Sequence, residues 1–338
     1  MAKDLNYIGV DIGASGIKIV ELANEGGRAR LITFGFSEYE AQSATDALDN
    51  PEAKGKELAE LAAKAGATTK RAVTGLPMAS VFSTLFTFPE GTEKGLEDMI
   101  KSKAKKLSPI PEDDLVLDWK KLAPQPNEKM VKVAVTAASR KMIEKYMQLF
   151  RASGLTLLSL ETEAYALVRA LLGKDRAPAM IVDIGSIKTN ILMVKDGVPV
   201  IHRTVKAGGR DISNFLSEKM KVDLKQAEEM KKNLSLGKLA GAEAALGQIV
   251  EPIVNEIKFC ESLYNEQYQD GKIEKVVLTG GSSLIVGLSD ALRQATGLRV
   301  FIGDPWARVI YPDDLRPALD KNGPGLTISV GLAMRDIL

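Results

Sequence analysis

Residues 7–22 read YIGVDIGASGIKIVEL, and residues 180–194 read MIVDIGSIKTNILMV. Each stretch is an apolar run that ends in Val-Asp-Ile-Gly, followed by a short turn and a second β-like run. Such runs on both sides of a glycine turn predict two strands joined by a tight hairpin. The aspartates, Asp11 and Asp183, lie 172 residues apart in a chain of 338 residues. The repeat therefore predicts two halves built on one plan.

Apolar periodicity locates further elements outside these two hairpins. The strands predicted with the clearest bounds are Tyr7–Gly13, Ala179–Ile184 and Lys275–Thr279. A long helix is predicted near Gly241–Tyr268, and a terminal helix at Thr327–Leu338. Helical spacing places one group of side chains on the apolar face of the long helix: Ile249, Ile253, Ile257, Cys260 and Tyr264.

Composition excludes several classes of protein. Lys and Arg number 45 against 44 Asp and Glu, so the chain lacks the large positive net charge that favours nucleic-acid binding. We therefore expect no nucleic-acid partner. With one cysteine, Cys260, and one histidine, His202, the sequence offers neither a disulfide framework nor a Cys/His zinc site. No signal peptide is recognisable, and no run reaches the roughly 18 apolar residues of a membrane helix. We therefore expect a cytoplasmic protein that reaches a membrane only through partners.

Each aspartate–glycine turn offers groups that suit a magnesium–polyphosphate ligand. Glycine at a strand end lets backbone N–H groups approach an anion, because no Cβ intervenes. A carboxylate there can hold a hydrated Mg²⁺ ion. Lys18 follows Asp11 by seven residues and can return along the hairpin as a point charge for phosphate. One such turn alone is more often structural, but two copies in matched contexts favour a shared ligand.

Two further glycine pairs are candidate ligand contacts. Gly280 and Gly281 follow a predicted strand and place Ser282 at a helix start, where backbone N–H groups favour anions or polar ligand atoms. Gly208 and Gly209 also precede a predicted helix and offer at best one more phosphate contact. For both pairs, a tight structural turn is an equally good interpretation. The glycines of the two aspartate turns match neither a P-loop nor a Rossmann turn, in which a helix would follow the first strand.

Between the two hairpins, the pattern predicts a compact α+β insert. Its elements are strand Val81–Phe88, helix Thr92–Leu107, strands Leu115–Lys121 and Met130–Ala138, and helix Ser139–Ser153. The first of these helices carries a row of lysines, Lys101, Lys103, Lys105 and Lys106. A row of this kind is usually a solvated face, and the alternative is a surface for anionic lipid or an acidic partner.

In this order, the motifs resemble those of the actin-like ATPase superfamily. Residues 11–18 resemble its first phosphate motif, 183–189 its second and 278–282 its adenosine motif. Glu163 resembles the acidic residue of the connecting motif, and Glu228 with Lys231 resembles the pair near ribose and adenine. Three residues apart on a helix, that pair could equally be a solvent-exposed ion pair. The resemblance implies an α/β, duplicated ribonuclease H-like fold with ATP and Mg²⁺ in the cleft.

Within that superfamily, the chain is similar to the PilM family of type IV pilus assembly proteins. The similar stretches, in order, are residues 7–22, 105–119 (KKLSPIPEDDLVLDW), 151–171 (RASGLTLLSLETEAYALVRAL), 206–213 (KAGGRDIS) and 330–338 (VGLAMRDIL). This family shares with the division protein FtsA an insert of strand–helix–strand–strand type, the SHS2 domain. FtsA adds a C-terminal linker and amphipathic helix, for which no counterpart follows Leu338. The resemblance therefore favours PilM over FtsA.

The resemblance implies a division of the chain and a set of ligand contacts. The first half is expected at 1–80 and is completed by 154–176 and the helix 326–338. The insert is expected at 81–153. The second half is expected at 177–325, with a helical subdomain at about 208–272. Asp11 and Asp183 would position Mg²⁺ through water. The expected ATP contacts are Gly13, Ala14, Ser15, Gly16, Lys18, Gly185, Ser186, Thr189, Gly208, Gly209, Glu228, Lys231, Gly280, Gly281 and Ser282. Glu163 is the candidate catalytic residue, and hydrolysis is expected to be slow or absent.

By the same resemblance, we expect an ATP-binding scaffold that binds the cytoplasmic N-terminal segment of a PilN-like inner-membrane protein. The groove for that segment is expected between residues 81–153 and the first half, and contact with the assembly ATPase or platform protein is a further expectation. The alternatives are an FtsA-like division protein and a small-molecule kinase. Two positions depart from the family pattern: Ala164 replaces a proline, and Lys188 replaces a small hydroxyl residue.

Overall fold

The computed structural model describes residues 6–38, 48–92, 94–122, 130–233, 242–268 and 273–337. The strands are β1 (Tyr7–Gly13), β2 (Gly16–Glu25), β3 (Arg28–Phe36), β4 (Arg71–Leu76), β5 (Val81–Pro89), β6 (Leu115–Lys121), β7 (Met130–Ser139), β8 (Thr156–Thr162), β9 (Ala179–Ile184), β10 (Thr189–Lys195), β11 (Val198–Val205), β12 (Lys275–Thr279), β13 (Arg299–Ile302) and β14 (Val309–Ile310). The helices are α1 (Pro51–Lys64), α2 (Leu96–Leu107), α3 (Arg140–Ser153), α4 (Glu163–Leu171), α5 (Gly209–Met220), α6 (Leu224–Asn233), α7 (Ala242–Gln267), α8 (Leu288–Thr296) and α9 (Arg316–Ala333). Within these ranges, no helix combines the length and apolar content that crossing a membrane requires.

The first sheet has six strands in the order β14-β3-β2-β1-β4-β8. Its centre is the hairpin β1–β2, in which Asp11 lies opposite Lys18. Helix α9 crosses this sheet closely, because Gly9 has no Cβ that would overlap the Ser329 carbonyl oxygen. The predicted bounds of β1 are confirmed.

The C-terminal helix differs from the prediction. We expected it at 326–338, but α9 begins at Arg316 and ends at Ala333. Pro324 lies inside it, and in sequence a proline between glycines predicts the end of a helix. Here the Pro324 carbonyl accepts hydrogen bonds from the Gly280 N–H (2.9 Å) and the Thr279 hydroxyl (3.1 Å). These tertiary bonds join this part of α9 to Thr279 and Gly280 at the end of β12. The predicted last residue, Leu338, lies outside the described residues.

The second sheet has five strands in the order β11-β10-β9-β12-β13. The predicted bounds of β9 and β12 are confirmed. Helix α7 confirms the predicted long helix, although its predicted first residue, Gly241, lies outside the described residues. Its predicted apolar face is confirmed, since Ile249, Ile253, Ile257, Cys260 and Tyr264 are all buried in the core of this half.

The third sheet, in the order β5-β7-β6, follows the predicted sequence of strand, helix, strand and strand. Helix α2 covers one face of it through Leu96, Ile100 and Ala104. By contrast, α3 packs against α1 of the first half, where Gly55 lets the two backbones approach closely. The part of the insert that surrounds the third sheet therefore spans 81–139, while the division of the chain into domains stays a prediction.

The lysine row on α2 is mostly engaged within the insert. Lys101 pairs with Glu97 at 2.6 Å, and Lys105 pairs with Glu112. The Lys103 ammonium lies 4.6 Å from the centroid of the Phe86 ring, a cation–π distance. This arrangement favours the interpretation as a solvated face over a basic docking surface.

Candidate functional site

The two hairpins bring their aspartates to one buried cleft. Asp11 and Asp183 are 5% and 9% exposed. Burial, and then the negative charge of Asp11, raise the pKa of Asp183, which means that the two carboxylates are neighbours. The cleft therefore concentrates negative charge at the ends of the two central strands.

Each aspartate is held by the residue opposite it in its hairpin. Asp11 lies across from Lys18, whose Nζ is 3.4 Å from Oδ2. Asp183 lies across from Asn190, whose Nδ2 donates to Oδ2 at 3.4 Å. In this register, Lys18 returns along the first hairpin to lie beside Asp11, as predicted. Asn190 was not a predicted site residue, although its spacing of seven from Asp183 equals that of Lys18 from Asp11.

Glu163 is the first residue of α4 and faces the same cleft. Its Oε2 accepts a hydrogen bond from the Met78 N–H at 3.1 Å. Burial raises the pKa of Glu163 to about 8, with a further contribution from the charge of Asp11, while Lys188 lowers it. The carboxyl therefore keeps its proton at neutral pH and is a poor general base in this state.

The second hairpin turn is enclosed by two other glycine segments. The Gly209 N–H and the Ser282 hydroxyl each donate to the Gly185 carbonyl at 3.0 Å. A Cβ on Gly208 would lie 2.7 Å from the Ser186 carbonyl oxygen, and one on Gly280 would lie 2.6 Å from Asp183 Oδ1. These glycines let three chain segments meet around the turn. The structure thus brings together predicted residues that are up to 97 positions apart.

The predicted pair Glu228 and Lys231 borders this region on α6. Lys231 Nζ donates to Glu228 Oε2 (2.7 Å), Ser213 Oγ (2.9 Å) and the Gly209 carbonyl (3.0 Å). An ammonium has three donors, and these three acceptors can use them all. Lys231 thereby ties α6 to the start of α5 and orients Glu228, which is the more exposed of the two.

The turns differ in how much their residues are needed for the fold. A Cβ on Gly16, at φ +151°, would overlap the Ser37 carbonyl, so this glycine is required by packing. The Thr189 hydroxyl is buried and donates to the Ala207 carbonyl at 2.7 Å. Ala14 and Ser15 form the tip of the first turn, between Gly13 and Gly16.

Other turn residues have no such structural explanation and fit a bound phosphate. A Cβ on Gly13 would meet only ordinary contacts at 3.6 and 3.7 Å. The Ser186 hydroxyl is buried without a hydrogen-bond partner in the described part of the chain. A Cβ on Gly281 would meet no atom within 4 Å. Glycine without a packing need and an unpartnered buried hydroxyl are what a close anionic ligand explains.

No group of three or more His, Cys, Asp or Glu side chains among the described residues is arranged to hold a metal ion. Mg²⁺ keeps most of its waters and is bound through one or two carboxylates together with substrate phosphates. Asp11 and Asp183 supply two such carboxylates.

A second feature is a narrow groove beside the insert. Strands β5 and β11 form two of its walls, and Met78, Thr162 and Tyr165 form its floor towards α4. No Asp, Glu, Lys or Arg is among its lining residues. Burial lowers the pKa of His202, which also lines the groove, to about 4, so the wall is uncharged at neutral pH. Thr162 directly precedes α4, but its buried hydroxyl does not cap the helix and has no hydrogen-bond partner in the described residues.

The groove and the cleft are separated by single residues. Met78 lines the groove and binds Glu163 of the cleft. On the other side, the Thr204 hydroxyl lies 2.8 Å from Asn190 Oδ1 and 3.2 Å from His202 Nε2. Sequence reasoning missed these contacts, because they join residues whose proximity depends on the tertiary fold.

A family model described as "Type IV pilus assembly protein PilM" matches residues 9–337. The chain belongs to the PilM family. This match decides against the FtsA-like and kinase alternatives, and the departures at Ala164 and Lys188 are compatible with membership.

Solved structures support the predicted fold of this PilM family member. A structure titled "PilM-PilN type IV pilus biogenesis complex" is 23% identical, with 99% of each chain covered and a TM-score of 0.84. The ethanolamine utilization protein EutJ from Carboxydothermus hydrogenoformans is 16% identical over 97% of this chain and 89% of its own, with a TM-score of 0.59. MreB 5 of Spiroplasma citri, bound to AMPPNP, is 14% identical over 96% and 94%, with a TM-score of 0.53. The predicted actin-like fold is confirmed.

Proposed function

We propose that this chain is a nucleotide-dependent scaffold of the type IV pilus assembly machinery. ATP with Mg²⁺ occupies the cleft between the two hairpins, and the cytoplasmic N-terminal segment of a PilN-like membrane protein occupies the groove beside the insert. Family membership supports the pilus role. The observation that carries the nucleotide proposal is the convergence of Asp11, Asp183 and the glycine turns on one buried cleft.

In the cleft, Asp11 and Asp183 would hold the waters of Mg²⁺, and Lys18 would contact phosphate. The backbone of residues 13–16 and 185–186 would surround the phosphates, with Gly208 and Gly209 near the second turn. Gly280 to Ser282 would pack on the adenosine, and Glu228, oriented by Lys231, would face the ribose. When bound, the metal offsets phosphate charge.

We expect ATP hydrolysis to be slow at most. Burial, and then the charge of Asp11, raise the pKa of Glu163 to about 8, which favours the protonated carboxyl and weakens it as a base for water. The nucleotide then acts mainly as a ligand that selects one closure state of the two halves. We retain Glu163 as the candidate catalytic residue because Asp11 and Asp183, the other buried carboxyls of the cleft, are assigned to Mg²⁺.

In the groove, the absence of charged lining residues favours an apolar peptide over an acidic or basic one. Binding to a membrane protein's N-terminal segment would hold the chain at the inner face of the membrane. Contacts with the assembly ATPase and the platform protein are further proposals that await a partner screen.

A titration tests both parts of this proposal. A synthetic peptide copying the cytoplasmic N-terminus of a PilN-like protein from the same organism is titrated calorimetrically, with and without Mg-ATP. We expect saturable binding in both conditions and a changed affinity when Mg-ATP is present. Separately, robust phosphorylation of a small sugar or acid would contradict the scaffold role. Absence of peptide binding alongside normal ATP binding would contradict the partner but leave the nucleotide site in place.

A further inference from the structure

A row of polar side chains crosses three strands of the second sheet, starting at the cleft. In the strand register, Asn190 of β10 lies opposite both Asp183 of β9 and Thr204 of β11. His202 lies two residues from Thr204 on β11, and side chains two apart in a strand share a face. The row therefore joins the buried carboxylate of Asp183 to a side chain that lines the groove.

Neighbouring side chains in this row are connected by hydrogen bonds. Asn190 Nδ2 donates to Asp183 Oδ2 at 3.4 Å, and the Thr204 hydroxyl donates to Asn190 Oδ1 at 2.8 Å. His202 Nε2 lies 3.2 Å from the same hydroxyl. Asn190 is 3% exposed, so an amide group left unpaired there would be costly. The two ends of the buried amide are thus held, one by Asp183 and the other by Thr204.

The chemistry of the four groups fixes the direction of these hydrogen bonds. An ionised carboxylate only accepts, so the amide nitrogen of Asn190 must face Asp183 and the amide oxygen must face Thr204. The Thr204 hydroxyl has one proton, which it donates to that amide oxygen. His202 must therefore donate from Nε2, and its neutral ring carries no proton on Nδ1. Every donor in the row points towards Asp183.

The corresponding row of the first sheet is built differently. Opposite Asp11 lies Lys18, and opposite Lys18 lies Phe36 of β3, an exposed apolar side chain. Asp11 is thus held by a cation, whereas Asp183 is held by a neutral amide whose other end is fixed from β11. This difference makes the orientation of Asp183 dependent on residues that do not face the cleft directly.

We propose that Asn190 and Thr204 are positioning residues that orient the Asp183 carboxylate towards the waters of Mg²⁺, with His202 ending the row at the groove. This inference rests on the proposed function, since it names what prepares the second aspartate for a hydrated metal ion. Residues that orient a metal-binding carboxylate change the affinity for the metal without touching it. The row therefore matters for ATP binding only when Mg²⁺ is present.

Variants of Thr204 in the full chain test this role. Thr204→Val keeps the shape of the side chain but removes the donor to the Asn190 oxygen. ATP affinity is measured calorimetrically with saturating Mg²⁺ and, separately, with EDTA. We expect the affinity with Mg²⁺ to fall about tenfold and the affinity in EDTA to change by less than about twofold. Thr204→Ser keeps the hydroxyl and should bind Mg-ATP within about threefold of the wild type.

Thr33→Val is the matched control. Thr33 is also a half-buried threonine on a strand, and its hydroxyl donates to the Ala65 carbonyl at 2.6 Å, within the first half. We expect its loss to leave ATP affinity unaltered in both conditions. For Thr204→Val, no loss, or equal losses with Mg²⁺ and with EDTA, would overturn the positioning role. A Thr204→Ser variant as weak as Thr204→Val would also overturn it.

The only histidine of the chain gives a second readout on the unchanged protein. Nitrogen-15 NMR of the imidazole ring distinguishes a proton on Nε2 from one on Nδ1. We expect the Nε2–H form for His202, and an Nδ1–H ring would overturn the row, because Thr204 would then lack its donor. If the wild type binds no ATP, or binds it equally well with and without Mg²⁺, the proposed function fails and this inference fails with it. Mg²⁺-dependent binding that is insensitive to Thr204→Val removes this inference alone.

Discussion

The two aspartate hairpins share one backbone plan but differ in where they place charge. In the first, Asp11 faces Lys18 and Gly13 faces Gly16. In the second, Asp183 faces Asn190, and the Gly185 N–H donates to the Lys188 carbonyl at 3.0 Å. On the second strand, the position of Lys18 in the first hairpin is therefore taken by Asn190 in the second. In the turn, the position of Gly16 is taken by Lys188.

Each half therefore contributes one lysine to the cleft, but from a different position in its hairpin. The first turn cannot carry a side chain at Gly16, since a Cβ there overlaps Ser37, so its lysine lies on β2. The second turn has room for Lys188, whose charge lowers the pKa values of Asp183 and Glu163. Asn190 then contributes a neutral hydrogen bond. Two similar sequence motifs thus become unlike sites in one cleft.

The largest effect is expected from Gly16→Ala. The new Cβ overlaps the Ser37 carbonyl at a backbone φ of +151°, so we expect a loss of about 3 kcal/mol in the free energy of unfolding, measured with urea. Gly13→Ala is the matched control, because its Cβ meets only contacts of 3.6 Å or more. It should stay folded and lose nucleotide affinity. Equal free energies of unfolding for the two variants would show that the first turn tolerates a side chain at position 16, as the second turn does at Lys188.

The next effect is expected from Lys18→Met. This change removes the cation beside Asp11 and the proposed phosphate contact, so ATP should bind on the order of tenfold more weakly by calorimetry. Lys145→Met, which removes an exposed pair with Asp49, should leave ATP affinity as it is. An unchanged affinity for Lys18→Met would mean that the second hairpin alone holds the phosphates.

A pH series compares Glu163→Gln with the wild type. In the unfolded chain the pKa of Glu163 is near 4.5, and in the folded chain burial raises it to about 8. Between these values the folded protein holds a proton that the unfolded chain has released. Its stability therefore falls as pH rises through this window. The Glu163→Gln variant lacks this pH dependence. The free energy of unfolding of the wild type, relative to that of the variant, should therefore fall steadily from pH 4.5 to 8. A constant difference would contradict the raised pKa.

The smallest effect is expected from Lys188→Ser, which restores the small hydroxyl of the family pattern. Lys188 acts on the carboxylates through its charge, and partly exposed charges contribute modestly, so ATP affinity should fall roughly two- to fivefold. A loss larger than that of Lys18→Met would reverse the ranking of the two hairpins. Tighter binding would show that Lys188 obstructs the site.

Local pattern was enough to predict the elements that carry the cleft. Strands β1, β9 and β12 have their predicted bounds, because runs of β-branched residues ending in glycine specify strand and turn within a few positions. The pattern was insufficient for α9, which begins at Arg316 and continues through Pro324, whereas we predicted the helix only from residue 326. It was also insufficient for α3, which we predicted as part of the insert but which packs on α1 of the first half.

The sequence by itself determined the two hairpins, their aspartates, the glycines beside them and the family, since these depend on residues close together in the chain. Only the tertiary structure decided which groups meet. The raised pKa of Glu163 depends on burial and on the charge of Asp11, 152 positions away. The uncharged groove exists because the edges of β5 and β11, from different sheets, come together. Burial and long-range proximity arise when sheets pack, and no local pattern of residues encodes them.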